Sequence, residues 1–178
     1  MNYIFLADGF EEIEALTVVD ILRRLGLDIA TVSITESRTV VGTHSIPVTA
    51  DLCLCDAALD EAAALILPGG LPGADNLQAC KPLAEALCRA AKDGRIVAAI
   101  CAAPRMLGAL GLVSGKKATC YPGCEGALTG AHYVTDRVVI DDNIITSRGP
   151  ATASDFAFAL AEALGADTTA LRSGMLYA

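Results

Sequence analysis

The segment Ile96-Val97-Ala98-Ala99-Ile100-Cys101-Ala102-Ala103-Pro104 constrains this chain more than any other. A buried-strand pattern stops at Ile100 and a helical one begins at Pro104, so Cys101 falls on a strand-to-helix turn. Such a turn can hold one side chain in a strained, outward-pointing pose, as a nucleophile elbow does. Ala99 and Ala103 stand two residues to either side, small enough for the turn to close tightly. The following helix aims free N–H groups and the positive end of its dipole at the sulfur. That field is expected to favour the thiolate, which is the nucleophilic and oxidisable form.

The rest of the pattern gives the elbow a scaffold. Asn2 to Ala7, Asp28 to Ser33, Ala64 to Leu67 and Ile96 to Ile100 read as short apolar strands. Helical spacing runs over Glu11 to Leu25, Lys81 to Lys92, Pro104 to Leu110 and Thr152 to Leu164. Gly26 and Gly94 stop the first two of these. Val40 to Val48 reads as a hairpin around Gly42-Thr43-His44-Ser45, with more strand near Leu52. Lys117 to Thr119 is a short strand, and Val138 to Ile140 with Ile144 to Thr146 a second hairpin. Strands alternating with helices predict an α/β sandwich around a mostly parallel sheet, with reactive loops at the strand C-terminal ends. No linker or repeat divides residues 1–178, so one domain is expected.

Hydrophobic residues make up 53% of the chain but aromatics only 4%, so Ala, Val, Leu and Ile must build the interior. The net charge of -8 argues against a nucleic-acid partner, which needs a basic footprint. No apolar run approaches the roughly 18 residues of a membrane span, and the N-terminus lacks a signal-peptide pattern. A cytoplasmic location without membrane association is expected. The seven cysteines, Cys53, Cys55, Cys80, Cys88, Cys101, Cys120 and Cys124, are odd in number and contain no C-x-x-C pair. They do not read as a disulfide framework, and most are expected to be small core residues. Cys120 and Cys124 offer only a weak zinc pattern, so no metal is assigned.

Four stretches occur together: Leu6-Ala7-Asp8-Gly9-Phe10-Glu11-Glu12-Ile13-Glu14, Leu67-Pro68-Gly69-Gly70, Ala98 through Pro104, and Thr146-Ser147-Arg148-Gly149-Pro150. Taken in this order, the chain resembles the ThiJ/PfpI superfamily, in its DJ-1 branch. The resemblance implies a flavodoxin-like three-layer sandwich and a homodimer. It makes Cys101 the reactive cysteine and Glu14 the active-site glutamate, protonated and hydrogen-bonded to the sulfur. Burial and like charge would raise such a carboxyl's pKa. Gly69 and Gly70 match the loop whose backbone approaches the nucleophile. The N–H groups of Gly70 and Cys101, with Ala102 as a further donor, are expected to hold an oxyanion. Arg148 is carried as a site candidate, with Pro150 as a wall. Cys53 and Cys55 lie where relatives place part of the dimer contact.

Two departures from the family pattern matter. Many catalytic members carry a histidine where this chain has Tyr121, in Thr119-Cys120-Tyr121-Pro122, and a phenol with a pKa near 10 is a poor base at neutral pH. His44 is expected to lie on the surface of its hairpin, and His132 to be structural. The residue after Cys101 is Ala102 rather than histidine, which argues against a Cys-His protease.

Two functions follow from the resemblance. One is a cofactor-independent glyoxalase or deglycase acting on methylglyoxal, glyoxal or their early glycation adducts. The other is an oxidative-stress sensor or redox-regulated chaperone working through oxidation of Cys101.

Overall fold

Alternation along the short apolar strands sorts side chains onto two cores. In β1 (Asn2–Leu6), Ile4 and Leu6 enter one core while Tyr3 and Phe5 enter the other. The computed structural model describes residues 1–177. Its further strands are β2 (Ile29–Ser33), β3 (Thr39–Val41), β4 (Pro47–Thr49), β5 (Leu52–Cys53), β6 (Ala64–Leu67), β7 (Ile96–Ile100), β8 (Lys117–Ala118), β9 (His132–Tyr133), β10 (Val138–Asp141) and β11 (Ile144–Ser147). Seven of them form one sheet in the order β10-β11-β7-β6-β1-β2-β5. All neighbours are parallel except β10 and β11, which form the expected hairpin. This is the α/β flavodoxin-like sandwich.

The helices cover both faces of the sheet. They are α1 (Glu12–Arg24), α2 (Gly73–Ala79), α3 (Lys81–Lys92), α4 (Pro104–Ala109), α5 (Ala153–Ala163) and α6 (Thr169–Gly174). On one face α1 and α5 bring Val18, Ile21, Leu22, Phe156 and Phe158 against Ile4, Ile66 and Ile100. On the other, α3 and α4 bring Leu83, Leu87, Met106 and Leu107 against Phe5, Leu65 and Val97. Each such fully buried side chain contributes about 1.5–3 kcal/mol. Among the described residues no helix is long and apolar enough to cross a membrane.

Some features depart from the expectations. Glu11 lies at the N-cap of α1 rather than inside it, in extended conformation. The spacing did not signal α2, which buries only Gly73, Ala74 and Leu77, nor α6, which buries nothing and is held by Arg172 stacked 4.2 Å over the Phe158 ring. Only Cys53, Cys101 and Cys120 are buried; Cys55 is exposed, and Cys80, Cys88 and Cys124 are half-buried. A small apolar side chain satisfies a helix flank or a turn as well as a core, so composition alone overstated their burial.

The sheet also determines where a site can form. From β1 the chain runs outward through β2 and β5, then returns to the other side of β1 for β6, β7 and β11. The direction of winding therefore reverses between β1 and β6, and a crevice opens at their C-terminal ends. The loops after β1, β6 and β7 all end there. The segment after β8 closes the same region, and it lies tightly on α4. A Cβ on Gly108 would collide with the Ala127 carbonyl, a backbone atom that cannot swing aside. Gly108→Ala is therefore expected to lower stability by about 1–3 kcal/mol, read as a lower denaturant midpoint with an unchanged m-value.

Candidate active site

The elbow is built at the end of β7. Cys101 has φ +65°, the left-handed region that a non-glycine residue rarely adopts. Such a conformation costs about 1–3 kcal/mol and persists only where surroundings fix it. Here the Cys101 N–H donates to the Ser147 carbonyl at 3.0 Å, and the Cys101 carbonyl accepts from the Tyr121 N–H at 2.8 Å. Both backbone groups are thereby committed. The expectation that the Cys101 N–H would serve as an oxyanion donor is corrected: it completes the junction between β7 and β11. The N–H groups that face the sulfur are those of Gly70 and Ala102.

Glu14 reaches the sulfur from the first turn of α1 and is fully buried. Its Oε2 accepts the Gly69 N–H at 2.8 Å, while Oε1 is buried with no partner by hydrogen-bond geometry. Gly69 has to be glycine, since a Cβ there would stand 2.6 Å from the Cys101 Cβ and 2.7 Å from Glu14 Oε2. Gly70 has φ +86°, and its own Cβ would strike the backbone of Gly9, Phe10 and Glu11. The two glycines therefore allow the β6 loop to pass between the α1 N-terminus and the elbow.

Electrostatics make Glu14 and Cys101 one unit. Burial raises the Glu14 carboxyl to about 7, against the Gly69 N–H and the Cys101 thiol, which favour its ionised form. Burial and the adjacent Glu14 carboxylate push the Cys101 thiol up to about 12, against the Gly70 and Ala102 N–H groups. The expectation that the helix dipole alone favours thiolate is corrected, because α4 spans only six residues and desolvation outweighs it. The pair accepts one negative charge near neutral pH and strongly resists a second. A single proton shared between Glu14 Oε1 and the sulfur gives the orphaned oxygen its partner. Because the carboxyl titrates at about 7 and the thiol at about 12, the first charge falls on Glu14, and the thiol keeps its proton beside it.

Cys101 opens into a cavity of about 330 Å³ lined by Glu11, Thr43, His44, Gly70, Leu71, Ala102, Tyr121, Cys124 and Pro150. Tyr121 is half-exposed at the cavity edge, its ring 3.2 Å from where a Gly149 Cβ would lie. Arg148 does not line this cavity. It lines a neighbouring one of about 390 Å³ that shares Tyr121 and Pro150 as a wall, and its guanidinium reaches the Tyr133 hydroxyl at 3.5 Å. Cys53 lies on the edge strand β5 and Cys55 just beyond it, away from the elbow.

The residue that sequence reasoning missed is His44. It is 65% exposed, as a surface residue should be, yet it lines the Cys101 cavity. The β3–β4 hairpin is strapped across the site by the Gly9 N–H to Val41 carbonyl bond (2.7 Å), the Thr43 N–H to Phe10 carbonyl bond (2.8 Å) and the Thr43 hydroxyl to Leu71 carbonyl bond (3.0 Å). The Glu12 carboxylate then grips the tip, accepting from the His44 N–H and from ring Nδ1, both at 2.8 Å. These contacts join residues 28 to 33 apart, so no local pattern announces them. With Glu11, these two form the one group of three potential metal-ligating side chains among the described residues; Cys120 and Cys124 do not belong to it.

The Glu12–His44 pair has a defined pH window. Burial works against Glu12 ionisation, but the His44 ring, its own backbone and the His44 N–H hold its carboxyl below the ordinary 4.5. The hydrogen bond to Glu12 and the charges of Glu11 and Glu12 hold His44 above 6.5. The Glu12 contribution is present above 4.5 and is lost as pH falls through the lowered value. The His44 contribution is complete below 6.5 and is lost as pH rises through the raised one. Hairpin docking is therefore strongest between pH 4.5 and 6.5 and weakens above that window. The amide resonances of Thr43 and His44 should show a titration above pH 6.5 that moves down in Glu12→Gln, measured by NMR.

Comparison with known proteins gives the family and the fold. Residues 2–163 match the DJ-1/PfpI family. The chain is 43% identical over 161 residues to Protein DJ-1 homolog B of Arabidopsis thaliana, covering 89% of this chain but only 37% of that relative's length. It is 37% identical over 158 residues to the glutathione-independent glyoxalase DJR-1.2 of Caenorhabditis elegans, covering 86% of this chain and 82% of that protein. The crystal structure of Drosophila melanogaster DJ-1beta superposes with a TM-score of 0.94 at 34% identity, covering 100% of both chains.

Proposed function

The chain belongs to the DJ-1/PfpI family, and we propose that it is a cofactor-independent glyoxalase whose nucleophile is Cys101. The observation that carries this reading is the elbow: a cysteine at positive φ, beside a buried carboxyl with an unpartnered oxygen, opening into a small cavity. The likeness to a relative named as a glutathione-independent glyoxalase supports it.

The chemistry follows from the groups present. Glu14 takes the Cys101 thiol proton as the sulfur adds to the aldehyde carbon of methylglyoxal; a C–S bond forms, the carbonyl electron pair moves to oxygen, and that oxygen takes the proton from Glu14. The Gly70 and Ala102 N–H groups are the free donors around that centre. Glu14, now a carboxylate, removes the carbon-bound proton and the ketone oxygen is protonated, giving an enediol. Glu14 returns its proton to the adjacent carbon, the hydroxyl on the sulfur-bearing carbon loses its own, and a thioester remains. Water cleaves this to lactate and free Cys101. The net change is addition of one water, with no external oxidant or reductant. A deglycase would apply the same steps to early adducts of amines and thiols.

The second reading is redox sensing. It is favoured by Tyr121, which supplies no base, and by the same Gly70, Ala102 and Glu14 groups, which suit a sulfinate at Cys101. We also propose a homodimer covering the exposed Ile13 and Leu16 of α1 and Ile46 of the hairpin; a sedimentation mass of one chain would contradict it.

Lactate formation from methylglyoxal by fully reduced protein tests the main reading. Cys101→Ser should remove turnover, and Glu14→Gln should lower kcat by about 10²-fold or more while iodoacetamide still alkylates Cys101. Absence of turnover above Cys101→Ser, together with a Cys101 sulfinate found by mass spectrometry, would favour the sensor.

A further inference from the structure

The enediol route moves two protons, and Glu14 accounts for one. The ketone oxygen gains a proton when the enediol forms, and the other hydroxyl loses one when the thioester forms. A group that gives and then takes back a proton is needed at the oxygens. Tyr121 is a poor candidate because a phenol is by nature a far weaker acid than an imidazolium.

The cavity nevertheless holds an imidazole. His44 is placed there by the strapped hairpin, with Nδ1–H committed to Glu12 Oε2 at 2.8 Å, so Nε2 is the free nitrogen. The grip is built into the fold. Glu12 is itself buried, and Gly42 is the position where any side chain would collide with its carboxylate. A carboxylate that fixes a histidine's tautomer and ring orientation is the arrangement a general acid–base needs.

We propose that His44, oriented by Glu12, is the acid–base group at the substrate oxygens, donating to the ketone oxygen through Nε2 and accepting from the hydroxyl on the sulfur-bearing carbon, while Glu14 moves the proton between the carbons. The proposal rests on the glyoxalase reading. Over one turnover the imidazolium becomes imidazole and then imidazolium again, so protons balance. The titratable groups against this imidazole are Glu11 at the N-cap of α1 and Glu12 in its first turn; Cys101 at the elbow, and Tyr121 and Cys124 from the segment after β8, line the same cavity. The two glutamates raise its pKa above the ordinary 6.5, which favours the donor form. Glu12 acts through His44 and is a positioning residue.

The test measures lactate formation across pH for the reduced full chain, His44→Gln and Glu12→Gln. EDTA is present so that no metal ion held by Glu11, Glu12 and His44 contributes. His44→Gln should lower kcat by about 10²-fold with KM changed less than about threefold and the rate of Cys101 alkylation by iodoacetamide unaltered. Free imidazole should restore part of the loss in His44→Ala. The wild-type kcat should fall as pH rises through the His44 pKa, and in Glu12→Gln that fall should come at lower pH. Wild-type turnover with kcat retained in His44→Gln overturns this inference alone. So does a loss carried by KM or by the alkylation rate, which is a structural effect. No wild-type turnover overturns the glyoxalase reading, and this inference with it.

Discussion

The hydrogen bond from the Gly69 N–H to Glu14 Oε2 is the contact on which the site depends. It ties the N-terminus of α1 to the loop after β6 directly beneath the elbow. A fully buried carboxyl is costly unless it is partnered, and this bond satisfies only half of it. The other half is left to the neighbouring sulfur. One unsatisfied oxygen thus makes Cys101 and Glu14 share a proton and a charge, and neither side chain can be understood alone. The glycines follow from the same constraint, because no side chain fits where the two elements meet.

The elbow imposes a second cost. Cys101 stays at positive φ because its N–H and carbonyl are both used, one by β11 and one by the segment after β8. Those bonds take the Cys101 N–H away from any oxyanion. The donors that remain, on Gly70 and Ala102, come from the neighbouring loop and from the next residue along the chain. Strain, hydrogen-bond commitment and donor placement are therefore one problem with one solution. It is solved at the point where the sheet's winding reverses and the loop ends crowd together.

The parts of this arrangement differ in how legible they are in sequence. The strands and long helices were readable because their side-chain periods are local and their cores are apolar on both sheet faces. The elbow was readable because a strand pattern, a cysteine and a Pro-initiated helix lie in nine consecutive residues. Glu14 and Gly69 were singled out only through the family resemblance, since a helix-start acid and a glycine turn have ordinary explanations. The commitment of the Cys101 N–H to Ser147 joins residues 46 apart, and no pattern in either segment signals it. Arg148 sits in a matching motif yet points into the adjacent cavity, because a motif fixes a backbone position and not the direction of a long side chain.

His44 shows the same limit from the other side. An exposed histidine in a polar hairpin is normally a solvated one, and its exposure here is real. What changes its meaning is a carboxylate 32 residues earlier that grips both its backbone and its ring. With Tyr121 at the cavity edge, His44 is the one imidazole among the side chains that line the cavity. The hairpin supplies it from a different element that lines the same cavity. Acid–base chemistry at the substrate oxygens requires an oriented titratable group within reach, and an imidazole of fixed tautomer meets that need. It does not require that imidazole to come from a particular strand end, so loss at one loop can be offset by gain at another without altering the sheet.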